Sequence, residues 1–141
     1  MISLGEATEP RAACQSVSMT TEPPTQRAVH GRECWLVSDG HVLASAERAD
    51  DRRARARGLL GRTGIEGALV IAPCRAVHTI GMKFAIDVAF LSDAGVVLKT
   101  VRMARHRIGM PVWKARSVVE AQAGAFERWG LHVGDTVELR E

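Results

Sequence analysis

Hydrophobic and polar residues change rhythm several times along this chain, and each change predicts an element. Residues 1–30 carry Pro10, Pro23 and Pro24 with no apolar periodicity, which predicts a disordered tail with the folded part in 31–141. Met19 is a candidate start of translation within that tail. ECWLVSDGHVLASA then places two apolar runs around Asp39-Gly40, a strong short-range hairpin signal.

Residues 45–60 predict a helix. Ser45 is its expected N-cap, acids lie in its first half and arginines in its second, and Gly61 is its expected C-terminal glycine. Its expected inward stripe is Ala46, Ala49, Ala56 and Leu60. From Gly67 the pattern becomes strand-like. ALVIA is a short buried run stopped by Pro73. MKFAIDVAFL alternates, which puts Met82, Phe84, Ile86, Val88 and Phe90 on one face and Lys83, Ala85, Asp87, Ala89 and Leu91 on the other.

Asp93-Ala94-Gly95 predicts a second hairpin into VVLKTVRM. A basic loop follows, then the strand SVVEA, a short helix around Phe126 and Trp129 ended by Gly130, and a last strand TVEL. The expected fold is α+β and mainly β: a small antiparallel barrel or sandwich with two short-to-medium helices.

Composition narrows the class. The chain has 141 residues, 46% hydrophobic and 25% charged, the balance of one globular domain. No apolar run approaches the roughly 20 residues of a membrane helix. The first residues show no basic start followed by an apolar segment, so a cytoplasmic location is expected. Cys14, Cys34 and Cys74 form no C-x-x-C pair, which suits reduced thiols.

The net charge of +3 is unevenly placed. Residues 45–62 hold Arg48, Arg52, Arg53, Arg55, Arg57 and Arg62 against Glu47, Asp50 and Asp51. Between Asp93 and Glu120 stand Lys99, Arg102, Arg105, Arg107, Lys114 and Arg116 without one acid. The basic loop 99–116, with Trp113 among its cations, is therefore a candidate surface for an anionic partner: protein, nucleic acid or lipid.

Candidate chemistry concentrates in CRAVHTIGMKFAID, residues 74–87. Cys74, His78 and Met82 are four apart, but Pro73 and Gly81 argue against a helix. On an extended strand such residues lie about 13 Å apart, so no metal site is expected, nor any cofactor. His78 is a candidate base for Cys74. A carboxylate-held His78 with Asp87 is a candidate acid–base pair, with Lys83 or Glu120 as further members. The bland alternative is a structural hydrogen bond between partly buried groups.

RGLLGR at 57–62, HTIGMKFAIDVAFL at 78–91, VVEAQAG at 118–124 and GLHVGDTVEL at 130–139 together resemble the family named domain of unknown function 192. The resemblance runs from about residue 34 to the end. It implies a small β-rich fold with one or two helices and no established reaction. The motif positions it marks are Arg57, Gly58, Leu59, Gly61, His78, Met82, Ile86, Asp87, Glu120, Gly124, Gly134 and Asp135. AGAFERWGLHVGDTVELRE is also similar to the helix–turn–strand ending of swapped-hairpin transcription factors.

The expected function is therefore a small non-catalytic binding or accessory module. An enzyme built on His78 and Asp87 and a nucleic-acid-binding protein are the alternatives. Candidate binding residues are Arg57, Arg62, His78, Lys83, Asp87, Arg102, Arg105, Arg107, Trp113 and Glu120.

Overall fold

A computed structural model describes residues 33–49 and 51–141; the expected disordered tail lies outside them. Among the described residues, seven strands and two short helices follow one another as β1 (Glu33–Ser38), β2 (His41–Ala49), α1 (Arg52–Arg57), β3 (Ala68–Ile71), β4 (Ile86–Leu91), β5 (Val97–Met103), β6 (Ser117–Gln122), α2 (Ala125–Trp129) and β7 (Val137–Arg140). They make one mostly antiparallel sheet in the order β5-β4-β6-β3-β2-β1-β7, with β2 and β3 parallel. The sheet curls until its two edge strands touch at one end. There a bridge joins Val96 to Thr136, Val97 N–H donates to the Asp135 carbonyl at 2.8 Å, and Val137 N–H donates to that of Gly95 at 2.8 Å.

Both hairpins form where turn chemistry predicts them. Asp39 and Gly40 take φ of 52° and 79°, the positive pair that a two-residue connection between twisted strands requires. Strand β6 and helix α2 also lie where the pattern puts them, and Gly130 caps α2 in the left-handed conformation.

The first helix is shorter and later than its pattern implies. His41–Ala49 is a strand, and the helix occupies only Arg52–Arg57. Asp51, not Ser45, is the N-cap, accepting from the Ala54 N–H at 2.7 Å; Gly58, not Gly61, caps the end. Strand β2 has partners on both sides, β1 and β3. That pairing outweighs the helical propensity of its alanines. Ala46 and Ala49 are buried, but three apart on a strand they serve opposite faces; Ala56 and Leu60 are exposed while Leu59 is buried.

The alternation in 82–91 also resolves differently. Strand β4 begins only at Ile86, and all six of its residues are buried. Ile86, Val88 and Phe90 join one core; Ala89 and Leu91 join the other. The sheet thus has a core on each face. One contains Leu36, Val119, Ala121 and, from α2, Ala125 and Phe126. The other contains Leu69, Ile71, Ile86, Val88 and Val118, and is roofed by Leu59, Val77, Met82 and Phe84 from connecting segments. No helix among the described residues is long and apolar enough to cross a membrane.

Candidate functional site

The two connecting segments that roof the second core hold each other. Residues 75–81 and 104–112 run as an irregular antiparallel ribbon with a bridge between His78 and Ile108. Thr79 N–H donates to the Arg107 carbonyl at 2.7 Å, His106 N–H to that of Thr79 at 2.8 Å, Gly109 N–H to that of Val77 at 2.9 Å, and Val112 N–H to that of Arg75 at 2.8 Å. Thr79 is the pin. Fully buried, its Oγ1 donates to the Ala104 carbonyl at 2.6 Å and accepts from the Arg107 N–H at 2.9 Å. His106, at φ 61°, accepts on Nδ1 from the Gly81 N–H at 3.2 Å.

With its backbone tied inward, the ribbon carries its large side chains outward. Ile108 is 77% exposed, and Met110 and Trp113 are each 74% exposed. Arg105, Arg107, Lys114 and Arg116 are exposed on the same loop and enter no ion pair with a described residue. Lone exposed apolar residues are ordinary; here three stand exposed on one short cationic loop.

Beside the ribbon a cleft of about 90 Å³ opens beneath the end of α1. Ile71, Met82 and Ile86 supply apolar wall, Cys74, His78 and Ile80 one side, and Arg55, Arg57, Gly58 and Leu60 the other. Glu120, from the middle of β6, lies at its floor and is 5% exposed. Its carboxylate receives no hydrogen bond or ion pair from any described residue. Burial pushes its pKa up to about 7, against the smaller opposing pull of Arg62. Arg62 spends its guanidinium on Glu47 at 2.9 Å. Burial also raises the Cys74 thiol; the bond its Sγ donates to the Ala76 carbonyl at 3.3 Å opposes that, and the charge of Glu120 adds a smaller upward push. A thiol held protonated is a poor nucleophile.

Asp87 belongs to a different place. In the β4–β6 register Val88 faces Glu120 and Asp87 faces Ala121, so the two acids point to opposite sides of the sheet. Asp87 Oδ1 accepts from Arg102 Nε at 3.0 Å, and Oδ2 accepts from the N–H groups of Gly124 at 2.9 Å and Phe126 at 3.2 Å. It ties β5 and the start of α2 to β4. His78 is exposed at the cleft, its Nδ1 accepting from the Ile80 N–H at 3.4 Å; no hydrogen bond joins it to Asp87 or Cys74. Lys83 is exposed, and Arg57 Nε donates to the Leu60 carbonyl at 3.3 Å. The fold therefore gathers Arg57, Cys74, His78 and Glu120 at the cleft and Arg105, Arg107 and Trp113 on the ribbon, and sends Asp87 with Arg102 elsewhere.

Thr79, Gly58, Ile108 and Met110 escape sequence reasoning as site residues. The alternating Ile108, Met110 pair between Arg107 and Lys114 was the available signal for the last two. Among the described residues, no group of three or more His, Cys, Asp or Glu side chains is placed to hold a metal ion.

Residues 35–139 match the family model DUF192, whose description is "Uncharacterized ACR". No curated protein matches the chain. Among solved structures it is similar to a proposed transcription regulator from Sinorhizobium meliloti 1021, at 18% identity and a TM-score of 0.69, over 79% of this chain and 96% of that one. It is also similar to a protein of unknown function from Novosphingobium aromaticivorans DSM 12444, at 20% identity and a TM-score of 0.63, over 84% and 98% of the two chains. At such identities the likeness concerns the fold alone.

Proposed function

We propose that this chain, which belongs to the DUF192 family, is a non-catalytic binding module whose ribbon loop seats on an anionic lipid surface. The observation that carries the reading is the loop itself: Ile108, Met110 and Trp113 at least 74% exposed, flanked by four cations and no acid. Each basic residue near an anionic membrane contributes on the order of 1 kcal/mol, a weak attraction that salt erodes. Apolar side chains entering the headgroup boundary add about 1.5–3 kcal/mol each when fully buried, and Trp suits that depth. On this reading the protein works in the cytoplasm, whose leaflet is the anionic one. The curled sheet, pinned edge to edge at Val96 and Thr136, serves as a barrel-type scaffold.

Other anionic partners fit the loop less well. A nucleic acid would use the arginines but leave Ile108 and Met110 in water, because phosphate contacts dominate its affinity. A stable protein–protein interface buries about 800 Å² on each partner, more than three side chains and their flanks supply.

Co-sedimentation with phosphatidylglycerol-containing vesicles tests the proposal, with pure phosphatidylcholine vesicles and duplex DNA in parallel. Binding to the anionic vesicles, lost in Trp113→Ala and in the Arg105→Glu, Arg107→Glu double variant, is the expected result. Absence of vesicle binding at low salt, or DNA binding stronger than vesicle binding, overturns it.

A further inference from the structure

Two buried acids in one sheet are treated in opposite ways. Asp87 is saturated with donors, whereas the Glu120 carboxylate has no partner among the described residues. A buried polar group left unpaired is costly, and its presence calls for a reason. Here the acid does not face a packed interior. It faces a cleft open to solvent, walled by Ile71, Met82 and Ile86, so any polar group entering the floor finds Glu120 as its acceptor. The residue above it is Gly58, at φ 52°, where an added Cβ would stand 3.7 Å from Glu120 Oε1. A larger side chain there would fill the approach.

The mouth has the opposite charge. Arg55 and Arg57 line it, and Arg62 acts on Glu120 from nearby. A simple cation would meet these arginines on the way in, and a simple anion would be repelled by Glu120 at the end. We propose that the cleft binds a small zwitterion, an amino acid that gives its ammonium group to Glu120 and its carboxylate to Arg57 at the mouth. The volume of about 90 Å³ is far below that of drug-sized pockets, which restricts the ligand to the smallest such molecules. The site uses none of Ile108, Met110, Trp113 and the cations beside them, nor lipid, so it stands or falls separately from membrane binding.

Binding is coupled to protons. With its carboxyl titrating at about 7, Glu120 is partly protonated at neutral pH, and an ammonium group selects the ionised form. Occupancy therefore releases protons.

The test is an amide NMR titration of the full chain with glycine, alanine and β-alanine, with ethylammonium and propionate as half-molecules. Saturable shifts of the Gly58, Cys74 and Glu120 amides are expected with at least one amino acid. Each half-molecule and each of the variants Glu120→Gln and Arg57→Ala should bind about tenfold or more weakly, the scale of one lost charge-assisted bond. Calorimetry at pH 7 in buffers of different ionisation enthalpy should record proton release in the wild type. The proposal is overturned if no amino acid gives saturable shifts, if propionate binds as well as β-alanine, or if folded Glu120→Gln binds as well as wild type. Should Glu120→Gln not fold, Arg57→Ala and the half-molecule comparison decide between the same outcomes.

Discussion

Asp87 and Glu120 lie on neighbouring strands one register position apart and face opposite sides of the sheet. Asp87 accepts two backbone N–H groups at the start of α2 and the Arg102 side chain. Removing it leaves the N–H groups of Gly124 and Phe126 without acceptors beneath a five-residue helix. Asp87→Ala is expected to lower unfolding free energy by about 3 kcal/mol, since bonds to a charged acceptor are worth about 1.5–3 each. Arg102→Ala, which removes only the exposed partner, should cost much less. Urea denaturation of the two variants checks the ranking.

Glu120 imposes a pH dependence of the opposite sign to a salt-bridged acid. Its folded pKa, about 7, lies above the ordinary value of 4.5, so the folded state holds its proton more tightly than the unfolded chain does. The associated stability is full below about pH 4.5 and is lost as pH rises through 7. The raise corresponds to about 3 kcal/mol. Glu120→Gln should abolish this part of the profile and exceed wild type in stability at pH 8, while matching it more closely at pH 5. Chemical denaturation of both proteins across that range measures the difference, and equal slopes would contradict the burial argument.

Thr79 holds the ribbon from within. Thr79→Val keeps the shape and removes the hydroxyl, so the Arg107 N–H loses its acceptor and the Ala104 carbonyl its donor. A loss of about 1–2 kcal/mol is expected. Amide exchange at His106, Arg107 and Gly109 should accelerate more than exchange in β4 and β6. Uniform acceleration would show that the ribbon does not open as a unit of its own.

Much of this fold was legible because its signals are local. Asp39-Gly40 and Asp93-Ala94-Gly95 specify their turns from residues in contact, and the quoted motifs indicated the family. Strand β2 was not legible. Its alanines fit a helical stripe, and only pairing with β3, some twenty residues on, makes them strand. The site divides in the same way. The cations of 99–116 and Trp113 are readable as a surface from composition. The isolation of Glu120 is not, because its burial depends on Gly58 and Cys74 arriving from separate segments. His78 and Asp87 looked like partners by proximity in sequence, yet the ribbon leads His78 to one face of the sheet while strand parity turns Asp87 to the other.

Gly95 occupies the contact between the edge strands. At φ 84° an added Cβ would stand 2.5 Å from the Val137 carbonyl oxygen, a backbone clash with no flexible side chain to yield. Gly95→Ala should destabilise by about 2–4 kcal/mol, combining positive-φ strain with forced displacement. Thermal denaturation, together with loss of amide protection at Val97 and Val137, checks both the size and the place of the effect.

Because β5 and β7 meet at only one end, the rest of β5 has a strand neighbour on the β4 side alone. Such a free margin is a template on which chains can polymerise. Its exposed residues include Lys99 and Arg102, one on each face of the strand, the kind of charged side chain that blunts an open strand edge. Two of the chain's unevenly placed cations thus stand along the margin that an incompletely closed sheet leaves without a neighbouring strand.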